Sequence, residues 1–232
     1  MAQIPDFKLL WLGYPRGLSA DVKPRIGGQV AYDWITNTCT IRMSRAFNYA
    51  GHRIPADHPG LATTRGGDGL RYAFRVAEFR PYLLETFGKP TISHEGEPGT
   101  IPTEPFAGRK GVICFEATFS DATGHFDMWN GLQTIGGNYF YKAHAVHLWE
   151  APEGTVDLTI AQGVGLGQPN RSADVKTVQK LLNLGLADAG PEDGDCGPRT
   201  LHAIRTFQEW HDLPNDSYVL PGGVTWFRLT NP

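Results

Sequence analysis

No apolar run in the 232 residues approaches the roughly 20 that a bilayer-spanning helix needs, which argues against membrane insertion and predicts a soluble chain. The first stretch, "MAQIPDFKLLWLGYPRG", has no basic head leading into an apolar core, so no signal peptide of the general secretory kind is expected. Basic runs are missing as well. The charges are mixed along the chain and sum to −3, leaving nothing to neutralise a phosphate backbone and excluding a nucleic-acid binder. Cysteine is scarce: Cys39, Cys114 and Cys196 lie too far apart for a disulfide framework, and no CxxC pair suggests zinc. Long uninterrupted elements are also excluded, because 28 glycines and 17 prolines favour short elements, many turns and function carried on loops.

The patterning that is present predicts an α+β chain of two domains. Residues 1–33 are broken by "GYPRG", "KPR" and "GG" and read as strands or loops. From Asn37 or Thr38 as N-cap, Met43, Ala46, Phe47 and Ala50 share a helical face, and Gly51 ends it. After a Pro- and Gly-rich loop, "LRYAFRVAEFRPYLLETFGKP" reads as helical, with Pro81 opening a second short helix that stops at Gly88. The loop "SHEGEPGTIPTEPFAG" then leads into strands: "KGVICFEATF", a turn "SDAT", "GHFDMWNG", and "NYFYKAHAVHLWEA". Helices followed by antiparallel strands is α+β ordering. Near residue 151 the composition changes, with room for one more strand before a junction. "ADVKTVQKLLNLGL", "RTLHAIRTFQEWHDL" and "GGVTWFRL" then read as a small helical bundle with its own core, in which Leu201, Ile204, Phe207 and Trp210 mark the inner face of the second helix. No other internal repeat is evident. The domains expected are 1–155 and 164–232, joined by a linker at about 156–163.

Cys39 falls in the first turn of its helix, where free N–H groups and partial positive charge favour a thiolate. Such a nucleophile needs a histidine to take and return a proton. Of eight histidines, His125 stands out, because a strand through "GHFDMWNG" puts His125 and Asp127 on one face and Phe126 on the other. Asp127 is then placed to orient the imidazole, with Asn138 as the alternative. Trp34, Asn37, Trp129 and Asn138 are candidates for substrate contact, Trp34 and Trp129 as walls of a cleft. Against this stands the plainer reading in which Cys39 is a packed thiol and the tryptophans are core. Cys114, in the apolar run "GVICFEATF", reads as core, and Cys196 as a residue without chemistry.

"NTCTIRMSRAFNYAGHRIP", "GRKGVICF" and "GHFDMWNG", in this order across most of residues 30–150, resemble the fourth family of type VI secretion amidase effectors. That family has a papain-like, NlpC/P60-type fold. The resemblance implies a cysteine peptidase that cuts peptidoglycan stems at the γ-D-glutamyl to meso-diaminopimelate bond, with Cys39 as nucleophile and His125 as base and acid. Asp127, or else Asn138, is the third member. It implies no metal or organic cofactor, and an oxyanion held by the backbone N–H of Cys39. It further implies a cognate immunity protein, contact with type VI secretion components, and action in the periplasm of a rival bacterium after export without a classical signal peptide. Residues 164–232, through "GVGLGQPNRSADVKTVQKLLN" and "DGDCGPRTLHAIRTFQ", resemble the three-helix peptidoglycan-binding module appended to many wall hydrolases. Other readings are a phage or autolysin-type wall hydrolase, and a catalytically silent wall-binding protein.

Overall fold

The computed structural model describes residues 2–119 and 122–232. Ser120 and Asp121, half of the "SDAT" turn, lie outside the described residues. The chain divides into two compact units, Met1–Thr155 and Val156–Pro232.

The first unit opens with helices where the sequence suggested strands or loops: α1 (Phe7–Gly13), α2 (Ser19–Ile26) and a 3₁₀ turn at Gly28–Ala31. Both helices are too short for a clear period. α1 is nevertheless capped by Asp6, whose carboxylate accepts the Lys8 N–H at 2.8 Å, and it buries Phe7, Leu9, Leu10 and Leu12. Next come α3 (Cys39–Tyr49), the short strand pair β1 (Thr63–Arg65) and β2 (Arg71–Ala73), and α4 (Val76–Phe87). Residues 71–73, expected to be helical, pair instead with 63–65, and Pro81 lies inside α4 rather than opening a new helix. The hydrogen bond lost at Pro81 is offset by the burial of Phe79, Tyr82 and Leu83 around it.

The sheet is built from β3 (Ile92–Glu95), β4 (Gly111–Glu116), β5 (Gly124–Trp129) and β6 (Ala145–Glu150), all antiparallel in the order β3-β6-β4-β5. β3 falls in a stretch read mostly as loop. The pleat separates two cores. Val112, Cys114, Phe126, Met128 and Trp149 pack with residues of α1, α3 and α4. Ile113, Phe115, Trp129, Val146 and Leu148 pack on the other side with Ile101, Phe106, Phe140 and Ala143, which come from loops. The edge strand β5 therefore has helices on one face and a loop layer on the other.

The second unit contains β7 (Val164–Gly165), α5 (Ser172–Leu184), α6 (Pro198–Trp210), β8 (Tyr218–Val219) and α7 (Val224–Thr230), with β7 paired to β8. Val175, Val178, Leu181 and Leu182 are buried as their spacing predicts. On α6 the buried face runs through Thr200, Ala203, Ile204, Phe207 and Gln208, while Leu201 and Trp210 are only half-buried. The rotation toward two polar residues reflects an internal repeat that the sequence reading missed. The Nε2 of Gln179 donates to Asp193, to the Asp195 carbonyl and to Thr200, and its Oε1 accepts the Gly194 N–H. The Nε2 of Gln208 donates to Asp216, to the Tyr218 carbonyl and to Thr225, and its Oε1 accepts the Ser217 N–H. Twice, then, a buried glutamine amide holds the loop that follows its helix and the first turn of the next one.

Candidate active site

Cys39 is buried, at 4% exposure, at the start of α3. Thr38 just before it shares a 2.8 Å hydrogen bond with Ser19, and Arg42 one turn later donates to Thr38 and to the carbonyls of Pro15 and Gly17. These ties fasten the helix start to the α1–α2 connection. The Cys39 N–H, expected to face an oxyanion, donates instead to Oδ1 of Asn37 at 3.0 Å. Asn37 thus forms a turn that caps the backbone of Cys39.

His125 and Asp127 share one face of β5, as the period-two pattern predicts, opposite Phe115 and Ile113 of β4. His125 Nε2 lies 3.4 Å from Asp127 Oδ2, and the imidazole is also within reach of the Cys39 side chain. Asp127 is fully buried and heavily partnered. Its Oδ1 accepts the Met128 N–H at 2.8 Å, and its Oδ2 accepts the N–H groups of Gly136 and Gly137 at 2.8 and 3.0 Å. The buried hydroxyl of Tyr14 also lies within reach of it. Burial would lower the His125 pKa, but the hydrogen bonds to Asp127 and Cys39 outweigh it and push the value up to about 9. Burial, reinforced by the nearby Asp127 charge, pushes the Tyr14 phenol well up. A protonated imidazole between a buried carboxylate and a helix-start sulfur can serve acyl transfer from an amide.

The other candidates are dispersed. Trp129 is buried at 2% exposure, its indole N–H on the Phe106 carbonyl and its ring beside Phe140, so it is core and walls no cleft. Trp34 is 56% exposed, edge-on to Phe74. Asn138 is exposed, and its Oδ1 accepts the Phe140 N–H rather than meeting His125. Cys114 is core. Among the other histidines, His147 is buried between Ser93 and Glu116 and clasps β3, β6 and β4. Three contributors had no signal in the sequence: Tyr14 lies far from the motifs, and the two glycines act through backbone N–H groups. Among the described residues no cluster of three His, Cys, Asp or Glu side chains could hold a metal ion, and no helix is long and apolar enough to cross a membrane.

Residues 35–149 match the model of the family described as type VI secretion system amidase effector protein 4, Tae4. Solved structures agree. The Tae4 effector of Salmonella typhimurium, in effector–immunity structures with Tai4, is 30–31% identical over 64% of this chain and 99% of its own, with TM-scores of 0.57–0.59. The chain belongs to the Tae4 family of amidase effectors. Tae4 from Enterobacter cloacae is 29% identical over 66% of this chain and all of its own, at a TM-score of 0.59. No curated protein matches. As a Tae4 member the chain is a peptidoglycan amidase, a hydrolase and a type VI secretion effector directed against bacteria. Unlike those Tae4 structures, which it covers almost completely, it continues into a second unit that matches a peptidoglycan binding domain over residues 171–219.

Proposed function

We propose that this Tae4 member is a cysteine endopeptidase that cleaves the γ-D-glutamyl to meso-diaminopimelate bond of peptidoglycan stems. Cys39 attacks the amide carbonyl carbon, a C–S bond forms, and the C–N bond breaks as imidazolium His125 protonates the leaving amine. Water, deprotonated by His125, then hydrolyses the thioester. Asp127 holds the imidazole and balances its charge. The observation that carries this reading is the single imidazole set within reach of both the helix-start sulfur and the buried carboxylate.

Delivery by type VI secretion into the periplasm of a rival cell puts the enzyme beside its substrate. A cognate immunity protein protects the producer, as the pairing of the Salmonella effector with Tai4 suggests. The second unit binds the same polymer and raises the local concentration of stems at the active site. Mass spectrometry of products from defined muropeptides tests the bond and the nucleophile together. A mass loss matching cleavage between D-glutamate and diaminopimelate, absent with Cys39→Ala, is the expected outcome. Retained cleavage by the folded variant rejects Cys39, and a different fragment mass rejects the bond.

A further inference from the structure

The face of β5 that carries His125 and Asp127 is covered not by a helix but by the segment 136–140, and every residue of that segment does something there. Gly136 and Gly137 each give an N–H to Asp127 Oδ2. A side chain at either position would press on the site: a Cβ on Gly136 would lie 3.0 Å from Asp127 Oδ2, and one on Gly137 would lie 2.8 Å from the Tyr139 ring and force it to shift. The Asn138 carboxamide closes the turn onto the Phe140 N–H at 3.1 Å. Tyr139 then sets its ring against the imidazole of His125, with centroids 4.8 Å apart and planes inclined at 63°. Phe119 stands edge-on to Tyr139 at 5.1 Å, and Phe115, the cross-strand neighbour of His125, lies 5.9 Å away. Phe140 anchors the end of the segment in the loop-side core, 5.3 Å from Phe106 and 5.2 Å from Phe115.

We propose that residues 136–140 are a positioning brace for the proton-transfer pair, and that Tyr139 is the residue that fixes the imidazole plane so that one nitrogen stays on Asp127 and the other on Cys39. The physical reason is geometric. The His125–Asp127 contact is long at 3.4 Å and has little directional force of its own. An imidazole so held has rotational freedom about its last torsion unless packing removes it. The Tyr139 ring supplies that packing from the open side, and the two glycine N–H groups keep the carboxylate from turning to follow a rotating ring. A brace acts on the step in which His125 moves a proton and leaves substrate binding alone.

This inference rests on the assignment of Cys39 and His125 above, and the test separates the two. In the full-length protein, Tyr139→Ala, Tyr139→Leu, Tyr139→Phe and Gly137→Ala are compared for stem cleavage and for the pH dependence of Cys39 alkylation by iodoacetamide. Tyr139→Ala and Tyr139→Leu are expected to lower kcat at least about tenfold with KM within twofold, and to change the pH profile of alkylation. Tyr139→Phe keeps the ring and restores most of the rate. Gly137→Ala, which displaces Tyr139 without removing it, gives the same direction of change. Unaltered kcat and alkylation profiles in the folded Tyr139→Ala and Tyr139→Leu proteins overturn the brace, as does a rise in KM at constant kcat, which would make Tyr139 a substrate contact. Activity that survives Cys39→Ala or complete alkylation overturns the catalytic assignment instead.

Discussion

At the scale of single residues, the charge on His125 is the property most open to test. Its pKa of about 9 against an ordinary 6.5 means that the imidazolium persists through neutral pH. Activity that needs this proton should fall as pH rises through about 9. Asp127→Asn removes the contact that most strongly raises the value, so the alkaline limb moves to lower pH, and kcat drops by about 10² or more as the ring loses its orienting charge. The stability linkage has the same sign: the raised pKa stabilises the fold fully below 6.5, and that contribution is lost as pH rises through about 9. Denaturant midpoints of the wild type and Asp127→Asn across pH 6 to 10 measure it. Asn37 offers a second test. Its Oδ1 already occupies the Cys39 N–H, so an oxyanion must displace an oxygen from that donor. Asn37→Asp puts a formal charge where charge has to develop and should reduce kcat more than Asn37→Ala does. Equal effects of the two would remove that N–H from the oxyanion site. The positions of Cys39, His125 and Asp127 were legible because each obeys a local rule, a helix start or a strand alternation. Tyr14 was not, because only the folded chain brings the residue that follows α1 near Asp127 of β5.

Among elements, what could be read depended on period and length. α3, α5 and the strands β4 to β6 repeat their pattern for long enough to declare themselves. α1, α2 and β3 have seven, eight and four residues, and tertiary burial rather than propensity decides them. The stretch 71–73 has helix-forming neighbours but is taken by cross-strand pairing with 63–65, where Ser44 and Asn48 of α3 hold it from behind. The second unit shows the opposite case, a repeat hidden because its spacing varies. Gln179 and Asp193 are 14 apart, Gln208 and Asp216 only 8, yet the side chains make matching bonds. Both glutamines are buried, so truncating either strands loop donors and acceptors away from water. Gln179→Ala should destabilise the second unit by about 2 to 3 kcal/mol, and Gln208→Ala similarly. Thermal unfolding monitored on the excised 156–232 fragment reads this directly. A change below about 0.5 kcal/mol would reduce the repeat to a coincidence of geometry.

For the whole molecule, each unit contributes buried apolar residues of its own. Val164, Val175, Val178, Leu181, Leu182, Ile204, Phe207, Val219 and Leu229 are buried within Val156–Pro232, while every functional side chain of the candidate site belongs to Met1–Thr155. With every candidate site residue in the first unit, the second, which matches a peptidoglycan binding domain, is expected to act on the substrate rather than on the chemistry. Soluble muropeptides diffuse to the site unaided. Insoluble sacculi do not, and there a tethered binding unit converts a bimolecular encounter into one governed by effective concentration, with gains that reach about 10²-fold or more. A protein ending at Thr155 should therefore keep the kcat/KM of the full chain on soluble stems and lose at least tenfold on intact sacculi. The excised 156–232 fragment should sediment with sacculi and, added in trans, compete with the full chain instead of rescuing the truncated one. Equal rates of the two enzymes on sacculi would remove substrate tethering as the purpose of the second unit. A loss of equal size on soluble stems would show that it contributes to the catalytic unit itself.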